Sequence, residues 1–149
     1  LKYNLEIILS TGMSKFIEIS KTINYLKNKN KKKITVLHCV SSYPADPKDL
    51  NLRVINGLRK KYNCLVGYSG HETSANIAPS AVLYNACAIE RHFTLDRAMK
   101  GPDHALSLAP PGMNVLIKRS KTLFDARGKE EKFVLESELK ARKKFRGYW

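Results

Sequence analysis

Acidic residues are scarce in this chain: 13 Asp and Glu stand against 27 Lys and Arg in 149 residues, a formal net charge of +14. No apolar run approaches the roughly 18 residues that a membrane-spanning helix requires. The three cysteines, Cys39, Cys64 and Cys87, are odd in number and have no CxxC spacing. That excludes a disulfide framework or a zinc ribbon and fits reduced thiols in or beside apolar strands. The first residues alternate polar and apolar rather than forming the apolar core of a secretory signal. These absences lead us to expect a cytoplasmic location. The chain also opens at Leu1, directly ahead of a strand and without methionine, so we expect a piece of a longer protein.

The basic surplus raises the question of nucleic acid, and its placement argues against it. Lys27, Lys29, Lys31, Lys32 and Lys33 fill a helix-to-strand connection, expected on the opposite face of the sheet from the polar strand ends. A second cluster, Lys140 to Arg146, sits in the C-terminal tail. Neither run carries interleaved aromatics or a nucleic-acid motif, so a solvated basic surface is the preferred reading and a non-catalytic basic binding module the competing one.

Strand and helix patterns alternate along the chain. Glu6–Leu9, Ile34–Val40, Cys64–Tyr68 and Cys87–Phe93 read as short, apolar strands. Ser14 is the expected cap of a helix from Lys15 to about Lys27, with Phe16, Ile19, Ile23 and Leu26 on one face. Asp49 or Asn51 is expected to cap a helix reaching about Lys61, and Ser74 or Asn76 an alanine-rich helix closed by Asn85. Pro110 and Pro111 suit the first turn of a last helix to about Ala126. Four strand–helix units imply parallel strands. That pattern suits either a small open sheet or half of an eight-fold β/α barrel.

Each strand ends in polar residues: Ser10-Thr11-Gly12-Met13, His38-Cys39 with Ser41-Ser42-Tyr43-Pro44, Ser69-Gly70-His71-Glu72-Thr73, and Glu90-Arg91-His92-Phe93. Parallel α/β sheets place their sites beyond the carboxyl ends of the strands, so these clusters predict one enzyme site. Cys39 beside His38 is a possible nucleophile, although adjacent strand residues point to opposite faces. Glu90 and His92 share a face, which would let Glu90 orient that histidine or pair with a lysine from elsewhere. His38 reads as a satisfied histidine facing the barrel interior, Arg91 as pointing away from the site, and His104 as a weak candidate.

These blocks, in this order and extended by Gly101-Pro102-Asp103-His104 and Ser107-Leu108, resemble the sialic acid synthase family. The resemblance implies an α/β fold in which residues 1–128 supply strands 5–8 of a TIM-type (β/α)8 barrel. It makes residues 129–149 a charged linker toward an absent antifreeze-like domain. The implied reaction condenses phosphoenolpyruvate with an N-acetylated amino sugar to a nine-carbon 2-keto acid, with phosphate release. Legionaminic or pseudaminic acid synthases are the sister alternatives.

The resemblance further implies that His71 and His92 hold a divalent metal, Mn²⁺ first, with Mg²⁺ or Co²⁺ as alternatives. Ser10 and Ser69 would contact phosphoenolpyruvate. Ser41, Tyr43 and Asp103 would line the sugar side, with Tyr43 and Asp103 as the catalytic candidates. The implied partners are the two substrates and either an N-terminal half-barrel or further copies of the chain; without them it is expected to be inactive. Ala75, Ala109 and Asn85 depart from the family pattern without touching the candidate ligands.

Overall fold

The computed structural model describes residues 5–29 and 33–147. Four parallel strands, β1 (Ile7–Ser10), β2 (Ile34–Cys39), β3 (Leu65–Gly70) and β4 (Ile89–Arg91), lie side by side in the order in which the chain makes them. Helix α1 (Phe16–Asn28) connects the first pair and α2 (Val54–Tyr62) the second. A 3₁₀ segment, Ala78–Tyr84, connects the third, and α3 (Pro110–Arg127) follows β4.

The connecting helices cover one face of the sheet and leave the other free of helix, although Leu37 on that second face is only 2% exposed. Ile19, Ile23 and Leu26 of α1, Ile55, Leu58 and Tyr62 of α2, Ala78 and Ala81 of the 3₁₀ segment and Leu116 of α3 share one core with Val36, Val66 and Tyr68. Side chains alternate along a strand, so residues of the other parity point to the uncovered face. They include Ile8, 66% exposed, and Leu65, 63% exposed. An open doubly wound sheet carries helices on both faces and reverses its strand order. Sequential order with a single helical layer is the geometry of a half-barrel, and it decides between the two expected architectures.

Several local expectations need correction. Ser14 does not cap α1: its hydroxyl donates to the Gly12 carbonyl, while Lys15 is the cap and its N–H donates to Glu18 Oε2 at 2.6 Å. Asp49 and Asn51 do not cap α2, which begins after Arg53; Asp49 ends a 3₁₀ turn and Asn51 adopts φ 45°. The alanine-rich stretch is a 3₁₀ segment without a side-chain cap, although Asn85 closes it in the left-handed conformation. Cys87–Phe93 shortens to Ile89–Arg91, with Phe93 making an isolated parallel bridge to Leu108. Lys31 and Lys32 lie outside the described residues. Lys33 directly precedes β2 and pairs with Glu6 at 2.8 Å, which places this lysine at the amino ends of the strands. Beyond α3 the charged tail holds a short helix, α4 (Leu139–Arg146).

Candidate active site

The strand register decides which polar side chains meet. Ser10, Cys39, Ser69 and Glu90 share the parity of the uncovered face, and His71 and His92 continue it past the ends of β3 and β4. There the His71 and His92 rings lie 5.2 Å apart between centroids, inclined at 72°. Tyr43, from the loop after β2, brings its ring to 4.2 Å from His71 and 6.0 Å from His92. Its loop is tied down by the Ala45 N–H, which donates to the His71 carbonyl at 3.1 Å.

The hydrogen bonds fix one imidazole's chemistry. His71 is buried, and its Nδ1 lies 2.8 Å from the Val40 carbonyl. A carbonyl only accepts, so Nδ1 carries a proton, and in the neutral ring the lone pair is on Nε2. His92 is partly exposed, and its Nδ1 faces Asp103 Oδ2 at 3.7 Å. Asp103 is therefore the carboxylate beside His92, a place the sequence suggested for Glu90. Glu90 instead accepts a 2.7 Å hydrogen bond from Ser69 Oγ.

The serines divide. Ser69 is buried and engaged with Glu90, so its one hydroxyl proton reaches a ligand only by leaving that carboxylate. Ser41 packs against the β1 loop, where a Cβ on Gly12 would stand 2.0 Å from its Oγ; only glycine permits that approach. Ser10 is exposed at the end of β1. Three strand spacings separate β1 from β4, about 14 Å in all, so Ser10 stands across the face from His92 and outside the ring cluster.

Other candidates resolve into structure. His38 is buried as expected, but on the helical side: it pairs in register with Tyr68 and its Nε2 donates to the Leu50 carbonyl at 2.7 Å. It faces away from the barrel interior because it has the parity of Val36. Cys39 neighbours His71 rather than His38, at 3.8 Å from Nδ1, but that proton is directed at the nearer Val40 carbonyl. His104 Nδ1 meets the buried Thr94 hydroxyl at 2.7 Å and organises the loop after β4.

Sequence reasoning missed a buried cluster just beneath the rings. Glu72 accepts from the Tyr68 hydroxyl at 2.9 Å and from Arg91 Nη1 at 3.0 Å. A second guanidinium nitrogen donates to the Glu72 carbonyl, and Nη1 also reaches the Ser74 carbonyl at 3.1 Å. The strand parity that turned Arg91 away from the site was the available signal.

Comparison with known proteins shows the family. Residues 1–132 match the NeuB family. The chain belongs to that family, the sialic acid synthases. It is 43% identical over 114 residues to the N-acetylneuraminate-9-phosphate synthase of Drosophila melanogaster, covering 76% of this chain and 31% of that protein. It is 42% identical over 141 residues to the N,N'-diacetyllegionaminic acid synthase of Campylobacter jejuni, covering 93% of this chain and 42% of that one. The solved N-acetylneuraminic acid synthetase of Leptospira borgpetersenii, crystallised with citrate, superposes with a TM-score of 0.84 at 33% identity. That superposition covers 97% of this chain and 51% of the other. The chain thus spans about a third to a half of the length of these relatives.

Proposed function

We propose that this chain is the second half, strands 5–8, of a synthase barrel. The enzyme joins C3 of phosphoenolpyruvate to the aldehyde carbon of an open-chain N-acetylated amino sugar. With uptake of water it yields a nine-carbon 2-keto acid and phosphate. The observation that carries this reading is the meeting of His71, His92 and Tyr43 at the carboxyl ends of adjacent parallel strands, on the face that the helices leave open. Synthases of this kind act on soluble metabolites, and we assign the chain to the cytoplasm; among the described residues no helix is long and apolar enough to cross a membrane.

The donor set suits a divalent cation, Mn²⁺ first, with Mg²⁺ or Co²⁺ as alternatives. Val40 holds the His71 proton on Nδ1, which frees Nε2 as a ligand, and Asp103 favours the same arrangement at His92. A carboxylate or carbonyl behind a ligating imidazole is the usual outer partner in metal sites. Among the described residues no third His, Cys, Asp or Glu completes a group of three. Two imidazoles would therefore hold the ion and leave its remaining positions to oxygen ligands. Bound there, the ion would supply Lewis-acid stabilisation of negative charge on the aldehyde oxygen.

The chain's own residues bind and orient. Tyr43, half exposed over His71, forms a wall of the sugar side, and Asp103 offers a carboxylate to the sugar's hydroxyl or amide groups. Ser10 and Ser41 offer hydroxyls toward phosphoenolpyruvate and sugar, and Ser69 does so in exchange for Glu90. A cation from the missing half would pair with Glu90 and release Ser69. The other half, four more β/α units, supplies the remaining anion contacts and acid–base groups. Residues 129–149 lead toward a further small domain.

Identities of 43% and 42% to synthases with different products do not separate the acceptors. Mass spectrometry of product does. The chain is co-expressed with a family N-terminal half and given phosphoenolpyruvate, Mn²⁺ and one acceptor at a time. The acceptors are N-acetylmannosamine, its 6-phosphate and a di-N-acetylated hexose. A 2-keto acid carrying three added carbons identifies both reaction and acceptor. A folded, metal-loaded complex that yields none from any acceptor would refute the synthase reading.

A further inference from the structure

The two candidate metal histidines are neighbours in sequence of the two members of the buried ion pair. Glu72 follows His71, and Arg91 precedes His92. Adjacent residues point to opposite faces at a strand end, so the imidazoles stand on the open face while the carboxylate and guanidinium meet on the helical one. The pair is nearly sealed, with side-chain exposures of 1% for Arg91 and 2% for Glu72 at 3.0 Å. Tyr68 holds the second carboxylate oxygen, and Arg91 also grips the Ser74 carbonyl. A Cβ on Gly70 would stand 2.6 Å from Glu72 Oε2 and 2.7 Å from the Tyr68 ring, so the carboxylate has no room to shift toward the strand.

We propose that the Arg91–Glu72 pair, seated on Tyr68, is a positioning device that fixes the spacing between His71 and His92. It clamps the ends of β3 and β4 from behind, one residue from each imidazole, where the backbone ladder between these strands has reached its last pair, Gly70 with Arg91. Neither residue touches the substrate side. The inference rests on the reading of His71 and His92 as the ion-holding pair, but its geometric content can be tested without an ion.

The test uses the chain assembled with an unlabelled family N-terminal half, its own four histidines labelled for NMR. Removing one partner would strand a buried charge, so the variant is the paired replacement of Glu72→Gln with Arg91→Met, which leaves no lone ion. Ile55→Val, which trims the same core away from the histidines, is the control. The structure predicts a ring-proton Overhauser contact between His71 and His92 in the wild type and in Ile55→Val, lost in the folded paired variant. Mn²⁺ affinity, read by electron paramagnetic resonance, falls at least tenfold in the paired variant alone, the loss typical of outer partners in metal sites. A folded paired variant that keeps the ring contact overturns the proposal, as does equal loss in Ile55→Val. A wild type that keeps the ring contact but binds no Mn²⁺ refutes the metal reading instead, and the Overhauser comparison still decides the clamp.

Discussion

His38 and Tyr68 stand side by side in the helical layer, and the fold holds both neutral. Burial lowers the His38 pKa below its ordinary 6.5, with the bond to the Leu50 carbonyl opposing the shift. Below about pH 6.5 the unfolded chain binds a proton at this histidine that the native one resists, so stability falls as pH falls toward the native pKa. Urea unfolding at pH 7.5 and 5.5 should show that loss, and His38→Gln, which keeps a donor for Leu50, should reduce it. Tyr68 runs the other way. Burial first, then the Glu72 carboxylate, raise its pKa far above the ordinary 10.0. Its contribution is complete below pH 10 and declines above it, as the unfolded tyrosine ionises and the native one does not. Tyr68→Phe should cost about 2 kcal/mol at pH 7, the loss of a hydrogen bond to a charged acceptor. It should also flatten the alkaline limb of the stability curve.

Among the elements, the central strands carry the tightest constraint. A Cβ at Gly67 would lie 2.6 Å from Leu37 Cδ2 and 2.8 Å from the Ala88 carbonyl oxygen. The side chain can yield, but the backbone of the chain leading into β4 cannot without spreading the sheet. Gly67→Ala should therefore cost about 1–3 kcal/mol, as overpacking of a core does, measurable by thermal melting. Elements of this kind were legible in sequence to the extent that periodicity spoke. Apolar runs located all four strands, and the three- and four-residue spacing of Ile19, Ile23 and Leu26 located α1. The ends were not legible. Ser14 looked like a cap because of its residue type, but the cap is set by where Glu18 can reach back to a free N–H. The Ala78–Tyr84 segment looked α-helical because alanine favours helix, yet with Pro79 at its start and Asn85 closing it, the segment forms a 3₁₀ connection. In the site, alternation along β4 put Glu90 and His92 on one face in advance, whereas the pairing of His71 with His92 came from the family resemblance alone. Neither could reveal that Val40 fixes the His71 tautomer or that Asp103, eleven residues on, takes the place beside His92. Those contacts depend on loops whose paths no local pattern encodes.

As a whole, the molecule is a half-barrel with an open inner face. Ile8 and Leu65 lie bare there, and β1 and β4 each leave one edge unpaired among the described residues. Bare edges beside an apolar face recruit further strands. The isolated chain should sediment as a concentration-dependent mixture of associated species, whereas co-expression with an N-terminal half should give a single species of fixed composition. A monomer at all concentrations would contradict that expectation. The charge of +14 does not change this assignment, since Lys33, the described lysine directly before β2, lies at the amino ends of the strands, away from the histidines.

The most direct test of the account is phosphate release from phosphoenolpyruvate by the completed barrel, compared among the wild type, His71→Ala and His92→Ala. We predict release that requires both Mn²⁺ and the amino sugar in the wild type and is lost in either variant although the complex still forms. Release that persists unchanged in both variants would show that the paired histidines are not the site of the reaction.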